Sequence, residues 1–400
     1  LLAQGLARGK SSDLEVRNTT SWPRTDLVLL AAGRSKAGDR VEDDQGRPMP
    51  SQRLRTGELA VLVRDVPPLG AKRLRVRKGA AFVGERAHAE GNRLWNDDYR
   101  VALDPKTGAI ASLRSVRLGK ELVQKPLNAF LYLSGKELGG VQANGRPRFE
   151  VVEPGPLVAR IRARSSASGA KGLTQEITLV AGIDRVDVSD VIDKLPVRAK
   201  EGVHFAFPLN VLDGEVRVDL PWATIRPEGD QIAGANKNWL TTQGYVDVSN
   251  KAFGVTWISL DAPLIEVGEI SANLLGSVTD PAEWRARIAP TQTFYSWALN
   301  NHWHTNYRAE QEGRLTFRYA IQAHGPYEPA AASRLGMAAR QPLLVATASP
   351  PAESLLTLSE PSVVATRVVP SDDGKALIVR LWGATEGTKR VRLRWRTGLG

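Results

Sequence analysis

Thr174-Gln175-Glu176-Ile177-Thr178-Leu179-Val180, a break at Ala181-Gly182-Ile183-Asp184, then Arg185-Val186-Asp187-Val188-Ser189-Asp190-Val191-Ile192, is the stretch on which the fold turns. Both runs are short and rich in β-branched residues, and a glycine-containing turn separates them. The same grammar recurs outward in both directions. Leu94–Leu103 reads as a strand, Asp104-Pro105-Lys106-Thr107-Gly108 as a turn, and Ala109–Leu113 as the return. In that turn proline presets φ and glycine accepts positive φ. Toward the far end, Thr366–Val369 and Ala376–Leu381 flank Ser371-Asp372-Asp373-Gly374. Closely spaced short strands of this kind predict an all-β chain built of several β-sandwich domains. A 3.6-residue apolar stripe is confined to Ala330–Ala339, an alanine-rich stretch closed by Gln341-Pro342 that reads as a short helix or a boundary. A second boundary falls near Lys78-Gly79-Ala80. The expected division is a small β-domain over 1–80, a large sandwich over 81–330 and an incomplete β-domain over 341–400. Both ends read as cut. Leu1–Arg8 looks like the tail of a helix, and Val391–Gly398 like a strand running into a turn.

Composition removes several function classes. The chain has 400 residues, 42% hydrophobic and 24% charged, which suits a soluble globular protein with two or three cores. No apolar run approaches bilayer-crossing length, so no membrane partner is expected. With no cysteine there is no disulfide framework, no thiolate zinc site and no cysteine nucleophile. The formal charge of +11 raises nucleic acid as a partner. The arginines are dispersed, however. Arg73, Arg75 and Arg77 alternate with Leu74 and Val76, and Arg390, Arg392 and Arg394 alternate with Val391, Leu393 and Trp395. Period two puts the charges on one face of a strand and the apolar side chains in a core. That pattern describes a solvated sheet face and argues against nucleic acid, which would need the arginines to converge on one stripe.

The chemistry-bearing residues are few. There is no phosphate-binding Gly-x-x-x-x-Gly-Lys loop and no Gly-x-Ser-x-Gly elbow. Of five histidines only His302 and His304 are close in sequence. Two apart on a strand they share a face, but with no carboxylate beside them hydrogen-bonded strand-end histidines explain them better than a metal does. The adjacent pairs Asp97-Asp98 and Asp43-Asp44 point to opposite faces if they lie on strands, so neither serves as a carboxylate couple. The densest polar and aromatic run is Phe294–Tyr307, with Asn300, Asn301, His302, Trp303 and His304 at its centre. Aromatic faces take the C–H side of a sugar ring, while amides and imidazoles take its hydroxyls. Two readings of this run stand side by side: a substrate-binding strand, or a sandwich strand whose aromatics are core and whose amides satisfy a loop.

An ordered series of segments resembles the region that follows the catalytic part of glycoside hydrolase family 38, the α-mannosidases. It runs from Asn18-Thr19-Thr20-Ser21-Trp22-Pro23-Arg24 through Pro50-Ser51-Gln52 and Asp65–Gly70 to Trp95–Val101 with Asp104–Ile110. It continues with Val246–Asn250, Phe253–Thr256 and Leu260–Leu264, then Asn300–Trp303, Asn306-Tyr307, Gln311–Gly313 and Phe317–Tyr319, the last group in the manner of bacterial members. The series covers nearly the whole chain. The resemblance implies a central domain that is a large galactose-mutarotase-like super-sandwich. It implies a retaining glycosidase acting on an α-mannoside or related glycan. It also implies that the nucleophile, the acid/base and the zinc ligands belong to an upstream domain of the same polypeptide, so that no catalytic and no metal residue is expected in this chain. Asn301 and His302 are the implied sugar contacts, with Trp303 as a stacking alternative. Better-known eukaryotic members carry arginine near the position of His302. Tyr245 falls where relatives often carry tryptophan, and is expected to pack. A stand-alone carbohydrate-binding or adhesion protein built of β-sandwiches is the alternative from another class.

Overall fold

The computed structural model describes residues 13–135, 140–271, 284–303, 308–349 and 352–396. Leu1–Arg8, His304, Asn306 and Tyr307 lie outside the described residues. Among those described, strands dominate and the one α-helix is Pro329–Arg340. No described helix is long and apolar enough to cross a membrane.

The first domain is a sandwich of a five-stranded and a three-stranded antiparallel sheet. Leu59–Val66 explains why it closes: its first five residues are all buried, and it pairs on one side with Arg24–Leu30 and on the other with Ser51–Arg53. Val28, Leu30, Leu59, Val61 and Val63 meet Val16, Val41 and Leu74 of the other sheet in one apolar core. Arg75 and Arg77 extend from Ala71–Arg77 to pair with Asp13 and Glu42 while Leu74 is buried, as the alternation predicts. One strand comes from far away in sequence. Leu344–Thr347 pairs with Leu14–Arg17, in register Leu14 to Thr347 and Arg17 to Leu344. Chain order assigns residues after 341 to the C-terminal part. The pairing assigns these four to the first sheet, because the open edge of Leu14–Arg17 is completed by them and Leu343 enters the first core.

The central domain faces a nine-stranded sheet with a five-stranded one. The quoted hairpin lies in the larger sheet: Ala170–Val180 and Val186–Lys194 pair antiparallel, and Gly182 turns between them at φ 72°. Val186, Val188 and Ile192 point into the core and alternate with partly exposed residues. The opposing sheet runs in the order Ala129–Ser134, Glu201–Pro208, Thr293–Asn300, Leu264–Val267, Leu240–Thr241. Phe205, Phe207 and Phe294 from it interlock with Trp257 and Tyr319 of the larger sheet, at ring separations of 5.0 to 6.0 Å. A smaller five-stranded sheet over residues 88–121 packs on the same core through Tyr99, Val101 and Leu113.

One local reading is corrected and another resolved. Leu94–Leu103 is a hairpin, with strands Arg93–Trp95 and Tyr99–Leu103. Asn96 breaks it, because its side-chain Oδ1 accepts the backbone N–H of Asp98 and of Tyr99 and so closes an Asx turn. Asp97 and Asp98 are therefore turn residues. The alanine-rich stretch is a helix that begins with Pro329 at its first turn and packs Ala332 against Tyr245 and Ile258. Tyr245 is fully buried there, its hydroxyl within 2.9 Å of Thr224 Oγ1, which agrees with a packing role. Beyond the helix, Leu356–Leu358 pairs with Leu393–Trp395, and Val363–Pro370 with Leu377–Gly383.

Candidate functional site

The strand Glu201–Pro208 is buried along its entire length, on both faces. Its inner face is the aromatic core already described. Its outer face carries Gly202, His204 and Ala206, and a β-bulge decides what stands beside them. The register with Thr293–Asn300 shifts between Val203 and His204, so Val203 faces Leu299 while His204 faces Trp297. The bulge absorbs Ala298, which returns Leu299 to the core and leaves Trp297 outside.

Trp297 stacks on His204 at 5.5 Å and 12°. His204 Nε2 is 2.6 Å from Glu266 Oε2, and Glu266 Oε1 accepts the backbone N–H of Ser271 at 2.8 Å. His204 and Glu266 are both fully buried. Next to them lies His302, also fully buried. Gly202 makes the room: a Cβ there would stand 2.8 Å from His302 Nε2 and 3.3 Å from Trp297 Nε1. Burial, with His204 and Lys200 nearby, pushes the His302 imidazole down to about 4, so it is neutral at physiological pH. Among the described residues neither His302 nitrogen has a hydrogen-bond partner, and the same holds for His204 Nδ1 and Trp297 Nε1. Four unpaired ring nitrogens on three touching side chains are unusual, since buried polar groups are nearly always paired.

The predicted residues divide. Asn300 Oδ1 accepts the backbone N–H of His302 at 3.0 Å. Asn301 donates its amide to the carbonyls of Val197 and Ala199, at 2.9 and 3.1 Å, and its backbone N–H to Glu201 O. Their amides brace backbone. His302 keeps both nitrogens uncommitted, and Trp303 turns outward. Its ring stands edge-on to Trp297 at 5.1 Å and 4.8 Å from Trp239, which in turn is 5.7 Å from Trp284. Trp284 is 37% exposed, so this tryptophan group passes from the buried imidazoles to the surface. His204, Glu266, Trp239 and Trp284 were not picked out from the sequence. The legible signal was a histidine inside the otherwise core-like run Val203-His204-Phe205-Ala206-Phe207. Among the described residues no three His, Asp or Glu side chains are placed to hold a metal.

No family model matches the sequence, and no curated protein matches it either. Solved structures do. An α-mannosidase from Enterococcus faecalis V583 superposes with a TM-score of 0.72 at 14% identity, over 96% of this chain and 52% of that one. A glycosyl hydrolase family 38 protein from Enterococcus faecalis gives 0.70 at 15% identity, over 96% and 54%. The chain thus spans about half the length of these structures, and across nearly all of its own length it has the fold of that half of a family 38 glycoside hydrolase.

Proposed function

We propose that this chain is the C-terminal, non-catalytic part of a retaining, zinc-dependent glycoside hydrolase of the α-mannosidase type. The observation that carries the reading is the superposition of nearly the whole chain on half of two such structures. On this reading an upstream domain of the same polypeptide supplies the barrel, the zinc and the two carboxyl groups that a retaining glycosidase holds roughly 5–5.5 Å apart. The role of this part is to pack on that domain and wall its sugar site with the outer face of the five-stranded sheet. Trp303, Trp239 and Trp284 offer ring faces to the C–H side of a sugar. His302, neutral and with one donor and one acceptor nitrogen, is fully buried behind them, so it meets a sugar hydroxyl only if the side chains covering it part. The substrate is an α-mannoside or a related glycan. The full polypeptide is expected to hydrolyse an aryl α-mannoside and to lose that activity on zinc removal, whereas the 400-residue chain alone does not, with or without added zinc. Turnover by the isolated chain, abolished by a substitution within it, would place the chemistry here and overturn the reading.

A further inference from the structure

A cavity of about 640 Å³ lies where four parts of the molecule meet. Thr19, Thr20 and Trp22 of the first domain line it, as do Asp219 and Trp222 at the edge of the nine-stranded sheet. The helix contributes Met337 and Arg340, and the hairpin Val363–Gly383 contributes Thr366 and Trp382. Its size is that of a small-molecule site, and junctions between domains are where such sites gather. It is distinct in residues from the outer face of the five-stranded sheet.

The feature that points to a ligand is Trp222. Leu220 pairs directly with Ala223, so Pro221 and Trp222 form a two-residue turn. Trp222 occupies the second position at φ 62°. That position calls for glycine or asparagine, and a bulky residue held there is strained. Strain of this kind persists where the side chain is used. Trp222 is nonetheless 50% exposed, so burial does not compensate for it. Its ring meets Trp382, from a different domain, edge to face at 5.7 Å and 63°. Such a pair leaves ring surface open to the cavity.

The polar side of the cavity fits the same ligand. Asp219 is nearly buried, and loss of water lifts its carboxyl to about 7, with Arg340 pulling the other way. At neutral pH it can therefore donate or accept. The Arg340 guanidinium is already held by the carbonyls of Gly336 and Gln243, so it serves as wall more than as a free anion clamp. A ligand that presents apolar C–H faces to two indoles and hydroxyls to a carboxyl group is a sugar.

We propose that this cavity binds a short neutral oligosaccharide, one ring of which stacks on Trp222 and Trp382 while its hydroxyls meet Asp219. The site rests on this chain's own residues and stands whether or not the neighbouring domain is a mannosidase.

The test is titration of the protein carrying the whole 400-residue sequence with α-linked mannotriose, maltotriose and cellotriose, read by tryptophan fluorescence and calorimetry. At least one binds at millimolar concentration or below. Trp222→Gly and Trp382→Ala each weaken it at least tenfold. Binding varies between pH 6 and 8, and that variation flattens in Asp219→Asn. Trp222→Gly is the decisive variant. Glycine relieves the positive φ, so the melting temperature holds or rises while binding is lost. A fall in melting temperature with binding retained makes Trp222 a packing residue and overturns the proposal. So does failure of all three saccharides to bind, or full retention of binding in both Trp222→Gly and Trp382→Ala.

Discussion

The two faces of the five-stranded sheet use the same strands for opposite ends. On the inner face Phe205, Phe207 and Phe294 are fully buried against Trp257 and Tyr319. Their contribution is apolar area, and the Tyr319 hydroxyl lies 2.9 Å from Ser296 Oγ, although Trp257 Nε1 has no partner among the described residues. On the outer face His204 and Trp297, with His302 just past the strand end, are as deeply buried but carry nitrogens that have no partner among the described residues. A single strand, Glu201–Pro208, thus bears a carbon face selected by packing and a nitrogen-bearing face that packing does not explain. Depth of burial does not separate structural from functional residues here. What distinguishes the two faces is how many unpaired nitrogens gather together: among the described residues, four on the outer His204, Trp297 and His302, against Trp257 Nε1 on the inner face.

The comparison can be broken most directly at Phe207. Phe207→Ala is expected to cost about 3–5 kcal/mol in urea or thermal unfolding, as removal of a phenyl ring from a packed core does. A cost below about 1 kcal/mol would mean that the inner face is not where the stability resides.

Asp190 tests the inner face from the other side. It faces the core on Val186–Lys194, and its Oδ1 accepts the Asn128 amide at 2.9 Å. Burial pushes its carboxyl from 3.8 up to about 8. For an acid raised in the folded state, the unfolded chain ionises first. Stability is then greatest below about pH 4 and falls as pH rises toward 8. The slope approaches 1.4 kcal/mol per pH unit at most. Asp190→Asn keeps the acceptor and removes the titration. It should gain on the wild type steadily across that window, by on the order of 3 kcal/mol at its upper end. Parallel pH–stability curves for the two proteins would show that the carboxyl is not buried in solution.

The smallest effect on stability, and the sharpest on function, is expected at His302. His302→Leu removes two buried nitrogens that have no partner among the described residues and should be neutral or stabilising by about 1 kcal/mol. In the full polypeptide it should lower kcat/KM about tenfold, roughly 1.4 kcal/mol of transition-state binding. Asn301→Ala should do the reverse, since its amide ties down Val197 and Ala199: a lower melting temperature, with turnover per folded molecule little changed. If His302→Leu melts well below the wild type with full activity, the outer face is packing like the inner one.

Much of the architecture was legible. The alternation in Val186–Lys194, the turns at Gly108 and Gly182, and the helix opened by Pro329 all follow from local rules of side-chain period and backbone preference. The candidate site was legible only as a composition. Asn300, Asn301, His302 and Trp303 stood out as a polar and aromatic run, but nothing local says that the asparagines brace backbone while the histidine stays uncommitted. His204 and Glu266 are 62 residues apart and meet only because two strands flank Thr293–Asn300 in the sheet.

By itself the sequence determined that the chain is β-rich, where several of its hairpins turn, and which side of strands such as Val186–Lys194 is apolar. These are short-range matters of sterics and hydrophobic period. Tertiary structure alone decided that Leu344–Thr347 completes the first sheet and that a bulge at Ala298 sets Trp297 beside His204. It also decided that Trp222 and Trp382 face each other across two domains. Each depends on which distant edges pair and in what register, and a period-two pattern is blind to that, because every strand with one apolar face offers the same face to many partners.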